Sequence, residues 1–331
     1  MKSVRLSHLA AVILIIIFST PLSVPLRAAE YPNRGITIVV PWPAGSSTGI
    51  TAQKIANIIN EKKICPTAMQ VVFKPGGAGT VGLAEVLRGN PDGYTLAYNP
   101  SAPIIVQPLV KDLPYTAKTL IPIIQTAKFD WILTVKGDAP WKTVNEFLEH
   151  SKKHSGEITV GTAGDYTWSH IALMNVSKAT GIKFRHVPFG GSAPAVIALL
   201  GGHVDAAILL TGDVSTHITA GTVRFLASTE PKRSNFYPDI PTFNEIGFPS
   251  QGSYHTNIIV APKDTPGDII KTLHDIFKKA IDTDDYKSFL NQIGGELIYI
   301  GYKDLPANID LESKKVINLL EEYGTVVNKA Q

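Results

Sequence analysis

ITIVVPWPAGSSTGITAQKIANIINEKK, residues 36–63, runs from an apolar strand through a turn of small residues straight into a helix. The run Ile36–Val40 is apolar and stopped by Pro41, as a buried strand would be, and Ile55, Ile58 and Ile59 recur at helical spacing beyond the turn. A strand that ends in glycine and small polar residues at a helix start has three chemical uses. It can carry an esterase nucleophile, cradle a phosphate, or bind a small anion on bare backbone amides.

Outward from this stretch the pattern repeats. MQVVF (69–73), a helix from about residue 79 and YTLAY (94–98) continue a strand–helix alternation that predicts a parallel sheet covered by helices. A stretch punctuated by Pro100, Pro103, Pro108, Pro114 and Pro122 separates this from a second series. There WILTV (131–135) precedes a capping box at Thr143–Glu146, and EITVG (157–161) precedes a helix from about residue 167. FRHVP, the helix SAPAVIALL and the strands VDAAIL and VRFLAS follow. Beyond them come a buried strand in YHTNIIVAP (254–262), an amphipathic helix with Ile269, Ile270, Leu273, Ile276, Phe277 and Ala280 on one face, a strand GELIYI, and a last helix carrying Val316, Leu319 and Leu320. Two series of this kind predict two α/β lobes. Residues 30–128 and 253–331 are expected to form the first and residues 129–252 the second, with crossings near 124–132 and 250–256 that make a hinged cleft.

Residues 1–29 read as a secretory signal peptide: Lys2, Arg5 and Arg27 without acids, then an apolar run from Leu9 to Phe18 ending in a small-residue segment. Removing them takes the basic side chains from 31 to 28, equal to the 28 acidic ones. With no basic stripe left, nucleic acid is excluded as an expected partner. Cys65 is the only cysteine, so neither an internal disulfide nor a Cys/His metal site is expected, and no cofactor is implied.

Two motifs compete for attention. GSSTG (45–49) fits GxSxG with Ser47 as nucleophile, and Asp205 and His217 follow in the order an esterase uses. Against this, the strand is the first of the exported chain and Pro41 and Pro43 interrupt the elbow. GAGTVG (77–82) fits GxGxxG, but Lys74 and Pro75 break the junction with its strand and the next strand ends in Asn99 rather than an acid for ribose. A tight turn accounts for Gly77, Gly79 and Gly82. What the loops share is exposed backbone N–H at helix starts: Ala44, Gly45, Ser46 and Ser47, then Gly76, Gly77, Ala78 and Gly79 in the first series, and GTAGDYT (161–167) and FGGS (189–192) in the second. Such starts facing a cleft suit a small carboxylate.

The stretches YPNRGITIVVPWPAGSSTG, KPGGAGTVG, NPDGYTLAYNP, GTAGDYTWSH, PFGGSAPAVIALLGGHVDAA, PTFNEIGFP and APKDTP, in this order, resemble the substrate-binding proteins of the tripartite tricarboxylate transporter family, also called Bug-type periplasmic receptors. The resemblance implies a type II periplasmic-binding-protein fold of two α/β lobes, a Venus flytrap. It also implies periplasmic capture of a small organic carboxylate for membrane permease subunits, without catalysis. Carried over by position, the ligand-binding residues are Ala44, Gly45, Ser46, Ser47 and Thr48, then Thr167 and His170, then Gly190 and Gly191, with Asp205 as the aspartate of GGHVD. Gly49 stands where the family has an aspartate opening the helix, and Tyr166 where it has a glycine. Trp42 and Tyr166 border the loops of opposite lobes and are expected to flank the ligand, which would favour an aromatic carboxylate; both, like Trp168, also read as packed aromatics. A sensing receptor of the same fold and an exported esterase using Ser47 are the alternatives.

Overall fold

The computed structural model describes residues 31–248 and 255–328. The export segment read at residues 1–29 lies outside the described residues.

The first lobe opens as its alternation predicts. β1 (Ile36–Val40) leads into α1 (Ser47–Glu61), β2 (Met69–Phe73), α2 (Thr80–Leu87) and β3 (Thr95–Pro100), and β1 pairs in parallel with both β2 and β3. Between β2 and α2 the backbone turns left-handed, with φ of 59° at Gly77 and 88° at Gly79. A Cβ at Gly82 would sit 2.8 Å from the Lys74 carbonyl. The glycines therefore serve the turn and close helix packing. Short helices α3 (Ser101–Ile105) and α4 (Gln107–Val110) follow, and then β4 (Leu120–Phe129), a ten-residue strand hidden from the periodicity by Pro122. Among the described residues no strand flanks the outer side of β4 at Pro122, where a missing N–H is tolerated.

A single residue, Asp130, carries the chain from β4 to β5 (Trp131–Lys136) in a second sheet. The predicted capping box opens α5 (Val144–Lys153): Glu146 N donates to Thr143 Oγ1 and Thr143 N to Glu146 Oε2, each at 3.2 Å. β6 (Thr159–Thr162), α6 (Trp168–Thr180), β7 (Arg185–Pro188), α7 (Ser192–Leu200), β8 (Ala206–Leu210), α8 (Thr211–Thr219) and β9 (Val223–Ser228) complete this lobe. Its strand order is β7-β6-β8-β5-β9, parallel at β7-β6-β8 and antiparallel where β5 joins β8 and β9. Gly202 ends α7 in the left-handed conformation at φ 71°.

The return passes through residues 229–255 to β10 (Thr256–Pro262), which slots between β3 and β4 antiparallel to both. The all-parallel expectation is thereby corrected to two mixed sheets, because the strands that cross between lobes enter each sheet in the opposite sense. α9 (Gly267–Ile281) and α10 (Asp284–Gln292) follow, and the strand expected in GELIYI is reduced to two-residue pairings with β4: β11 (Gly295–Glu296) and β12 (Ile300–Gly301). α11 (Leu305–Glu322) closes the chain against the first lobe. Alternation along β5 sends Leu133 into the core shared with β4 and α6, and Ile132 into a smaller cluster with Leu199 and Leu209 under α7.

Candidate functional site

The carboxyl ends of β1, β3, β6 and β8 bring four loops together where the lobes meet, the place at which open α/β sheets bind ligands. A cavity there has a free volume of about 20 Å³, room for about one water. The first lobe contributes Trp42, Ser46, Ser47 and Thr48 before and at the start of α1, with Pro100 and Ala102. The second contributes Ala163, Thr167 and Trp168, then Ser192, Leu210 and Asp213. Trp131 and His255, one beside each crossing, complete the lining.

Ser46 caps α1. Its hydroxyl donates to the Pro43 carbonyl at 2.7 Å and accepts from Gly49 N at 3.2 Å. Gly49 thus leaves the helix start capped, by Ser46. A Cβ at this position would lie 2.6 Å from the Ala44 carbonyl oxygen and 2.9 Å from that of Pro43, so this turn admits only glycine. The next amide, Ser47 N, donates to Asp213 Oδ1 of the opposite lobe at 2.6 Å. Burial pushes the Asp213 carboxyl up from its ordinary pKa, against the opposing pull of the Ser47 amide and of the Ser192 and Ser47 hydroxyls. Thr48 Oγ1 lies 3.3 Å from Asn257 Oδ1 on β10.

The amides of GTAGDYT are also taken. Ala163 N donates to Ser169 Oγ at 2.9 Å, Gly164 N to Thr162 Oγ1 at 3.3 Å, Tyr166 N to His170 Nδ1 at 3.0 Å and Thr167 N to the Gly164 carbonyl at 3.3 Å. Bare helix-start amides, expected from the loops, are therefore largely satisfied by the protein's own groups. Tyr166 holds φ at 53°, the left-handed conformation that glycine adopts most readily. Its ring packs at 5.5 Å from His170 and stays out of the cavity. His170 is half-buried, its pKa lowered to about 4 by desolvation and by His186, with Asp165 opposing.

Asp165, His170 and His186 bring ligand atoms within 4.8 Å of one another. The two imidazoles nevertheless stack at 3.9 Å and only 10° apart, so their in-plane lone pairs run side by side instead of converging on an ion. Ala44, Gly45 and Gly190 are exposed outside the cavity. Gly191 is buried at φ 132°, where a Cβ would lie 3.3 Å from Pro43 Cδ across the cleft. Asp205 sits at the other end of β6, accepting from Thr159 N at 2.8 Å and Thr159 Oγ1 at 2.6 Å. Of the positions singled out in the sequence, the cavity thus gathers Trp42, Ser46, Ser47, Thr48 and Thr167.

Sequence reasoning missed Trp131, Ser192, Asp213 and His255. Trp131 and His255 could have been sought beside the crossings; Asp213 looks like an ordinary first-turn acid of α8 until the lobes are assembled. Four buried atoms of this lining have no hydrogen-bond partner among the described residues: Ser47 Oγ, Trp131 Nε1, Asp213 Oδ2 and His255 Nε2. Burial, reinforced by Lys128, lowers the His255 pKa to about 3, so the ring stays neutral. The other two cavity indoles are tied down, Trp42 Nε1 to Asn99 Oδ1 at 2.9 Å and Trp168 Nε1 to Ser101 Oγ across the cleft at 2.8 Å. Three tryptophans around unspent polar atoms suit a small guest with a flat or apolar body and a charged end.

The model of the tripartite tricarboxylate transporter family receptor matches residues 53–325. A Cupriavidus necator protein named for the gbd 5' region is 32% identical over 307 residues, covering 90% of each chain. BugT of Bordetella pertussis is 29% identical, covering 84% of this chain and 86% of its own. Among solved structures, the periplasmic binding protein BugD superposes with a TM-score of 0.84 at 27% identity, over 89% of this chain and 99% of that one. MatC of Rhodopseudomonas palustris with bound malate shares the fold at 23% identity and a TM-score of 0.81, over 88% of this chain and all (100%) of that one. With two α/β lobes meeting over one cavity and a family match spanning most of its length, the chain belongs to the Bug-type receptors of the tripartite tricarboxylate transporter family.

Proposed function

We propose that this receptor captures a small organic carboxylate between its lobes in the periplasm and presents it to membrane permease subunits. The observation that carries the reading is the set of unpaired polar atoms buried in the interlobe cavity, Trp131 Nε1–H and the Ser47 hydroxyl foremost. A buried donor without a partner costs about 1–3 kcal/mol, and a hydrogen bond from it to a charged carboxylate contributes about 1.5–3 kcal/mol. Ligand contacts are assigned to Trp42, Ser46, Ser47, Thr48 and Thr167 together with Trp131 and His255. An aromatic body packs on the tryptophans.

Entry needs the lobes to part, since about 20 Å³ admits no carboxylate of several carbons. The lobes are residues 30–128 with 253–331, and 129–252. The hinge is assigned to the crossings near residues 124–132 and 250–256, the second of which lies largely outside the described residues; beside them Lys128 meets Asp130 at 3.2 Å and Glu230 at 3.5 Å. Burial opposes the charge on Lys128, but the two carboxylates outweigh it and raise its pKa, which pins the crossings to one another. Capture proceeds without bond making or breaking. The acid and base an esterase would require are engaged elsewhere, Asp205 with Thr159 and His217 Nδ1 with Thr222 Oγ1 at 3.1 Å. Among the described residues no helix is long and apolar enough to cross a membrane.

A thermal-shift screen of aliphatic and aromatic carboxylates tests the reading. At a hundredfold excess over the dissociation constant a true ligand adds about 2.7 kcal/mol, several degrees in Tm for a chain of this size. A panel of carboxylates that leaves the melting curve unmoved, with isothermal titration equally silent, overturns it.

A further inference from the structure

The cleft already holds a carboxyl group of its own. Asp213, half-buried at the start of α8, reaches across the lobe junction and sets Oδ1 on Ser47 N at 2.6 Å, so the first free amide of α1 is occupied by the protein's own carboxyl group. Its other oxygen, Oδ2, is buried in the same cavity with no partner among the described residues. Trp131 Nε1–H, also unpaired and 2% exposed, offers a rigid donor in that cavity. The polar lining is thus divided: an indole donor for one carboxylate, and an acceptor that a second carboxylate would have to face.

We infer that Asp213 sets the ligand class of this receptor: a monocarboxylate whose other end carries a hydrogen-bond donor, such as an amide, a hydroxyl or an ammonium group, in preference to a dicarboxylate. The inference rests on the carboxylate reading above and narrows it. The ligand carboxylate takes the Trp131 side of the cavity and the donor takes Asp213 Oδ2. A second carboxylate there faces an acceptor oxygen in a water-poor space and is accommodated only with a proton held between the two carboxyl groups, whereas a donor end needs none. The donor end, by contrast, satisfies an oxygen that the fold leaves open.

The test uses isosteric pairs that differ only in one end: succinate and succinamate, glutarate and glutaramate, adipate and adipamate, terephthalate and its monoamide. Isothermal titration of the wild-type protein is expected to favour the monoamide in at least one pair by about tenfold or more. In Asp213→Asn the amide can keep its oxygen on Ser47 N and turn a donor into the cavity, so the ratio within that pair should swing toward the dicarboxylate by a similar factor. Asp213→Ser provides a second variant without the charge, and circular dichroism reports whether each variant folds. A wild-type preference for the dicarboxylate in every binding pair overturns the inference and leaves carboxylate capture standing, as does a ratio that folded Asp213→Asn and Asp213→Ser leave unchanged. Failure of every member of every pair to bind overturns both.

Discussion

Glu312 shows how much one side chain can be at odds with its surroundings. It is buried on α11 with Oε2 unpaired among the described residues, and burial, partly opposed by Lys315, raises its pKa from 4.5 to about 7. Below about pH 4.5 the carboxyl is protonated folded or unfolded and costs nothing. Between about 4.5 and 7 the unfolded chain releases the proton first, so this group's contribution falls as pH rises and levels off above 7. Glu312→Gln should therefore gain stability over wild type by about 2–3 kcal/mol between pH 5 and pH 8, read by urea unfolding. His255 works in the opposite window: its folded pKa of about 3 lies below the ordinary 6.5, so stability is lost as pH falls from about 6.5 towards 3. Gly49→Asp should destabilise by about 1–3 kcal/mol in the same assay, because its Cβ would have two backbone oxygens within 3 Å.

At the scale of elements, α1 depends on its first turn. Ser46→Ala removes a hydroxyl that both caps Gly49 N and ties the turn to Pro43, and should cost about 1 kcal/mol in unfolding free energy. The same scale shows what was legible locally. The capping box at Thr143–Glu146 and the glycine turn before α2 both appear where residue type placed them, because each is settled by contacts within a few residues. β4 was illegible for the complementary reason: a strand containing Pro122 has no local advantage and exists because β10 arrives from more than a hundred residues away to pair with it.

For the whole molecule the decisive contacts cross the cleft. Ser47 meets Asp213, Trp168 meets Ser101, Gln107 Nε2 donates to the Asp165 and Tyr166 carbonyls at 2.8 and 3.0 Å, and Thr211 Oγ1 donates to the Gly294 carbonyl at 2.8 Å. Gly212 sits among them. A Cβ there would lie 2.7 Å from the Phe129 ring and 2.9 Å from Ser47 Cβ. Gly212→Val should wedge the lobes apart, seen as a larger radius of gyration by small-angle scattering and loss of the carboxylate thermal shift, with the circular dichroism spectrum unchanged. An unaltered radius of gyration would show that the lobes close by other contacts.

By itself the sequence determined the two α/β series, the helix starts with their caps, and the family, because periodicity, capping and glycine placement act over short distances. It also placed Trp42, Ser46, Ser47, Thr48 and Thr167 at the cleft, since each belongs to a strand-to-helix turn at the carboxyl end of its sheet. Only the tertiary structure decided that β10 runs antiparallel, that the turn amides are largely spent, and that Asp213, Trp131 and His255 supply the unsatisfied polar atoms. Those facts depend on two lobes folding from interleaved segments and then meeting. A hydrogen bond between residues 166 positions apart leaves no trace in the local pattern of either one.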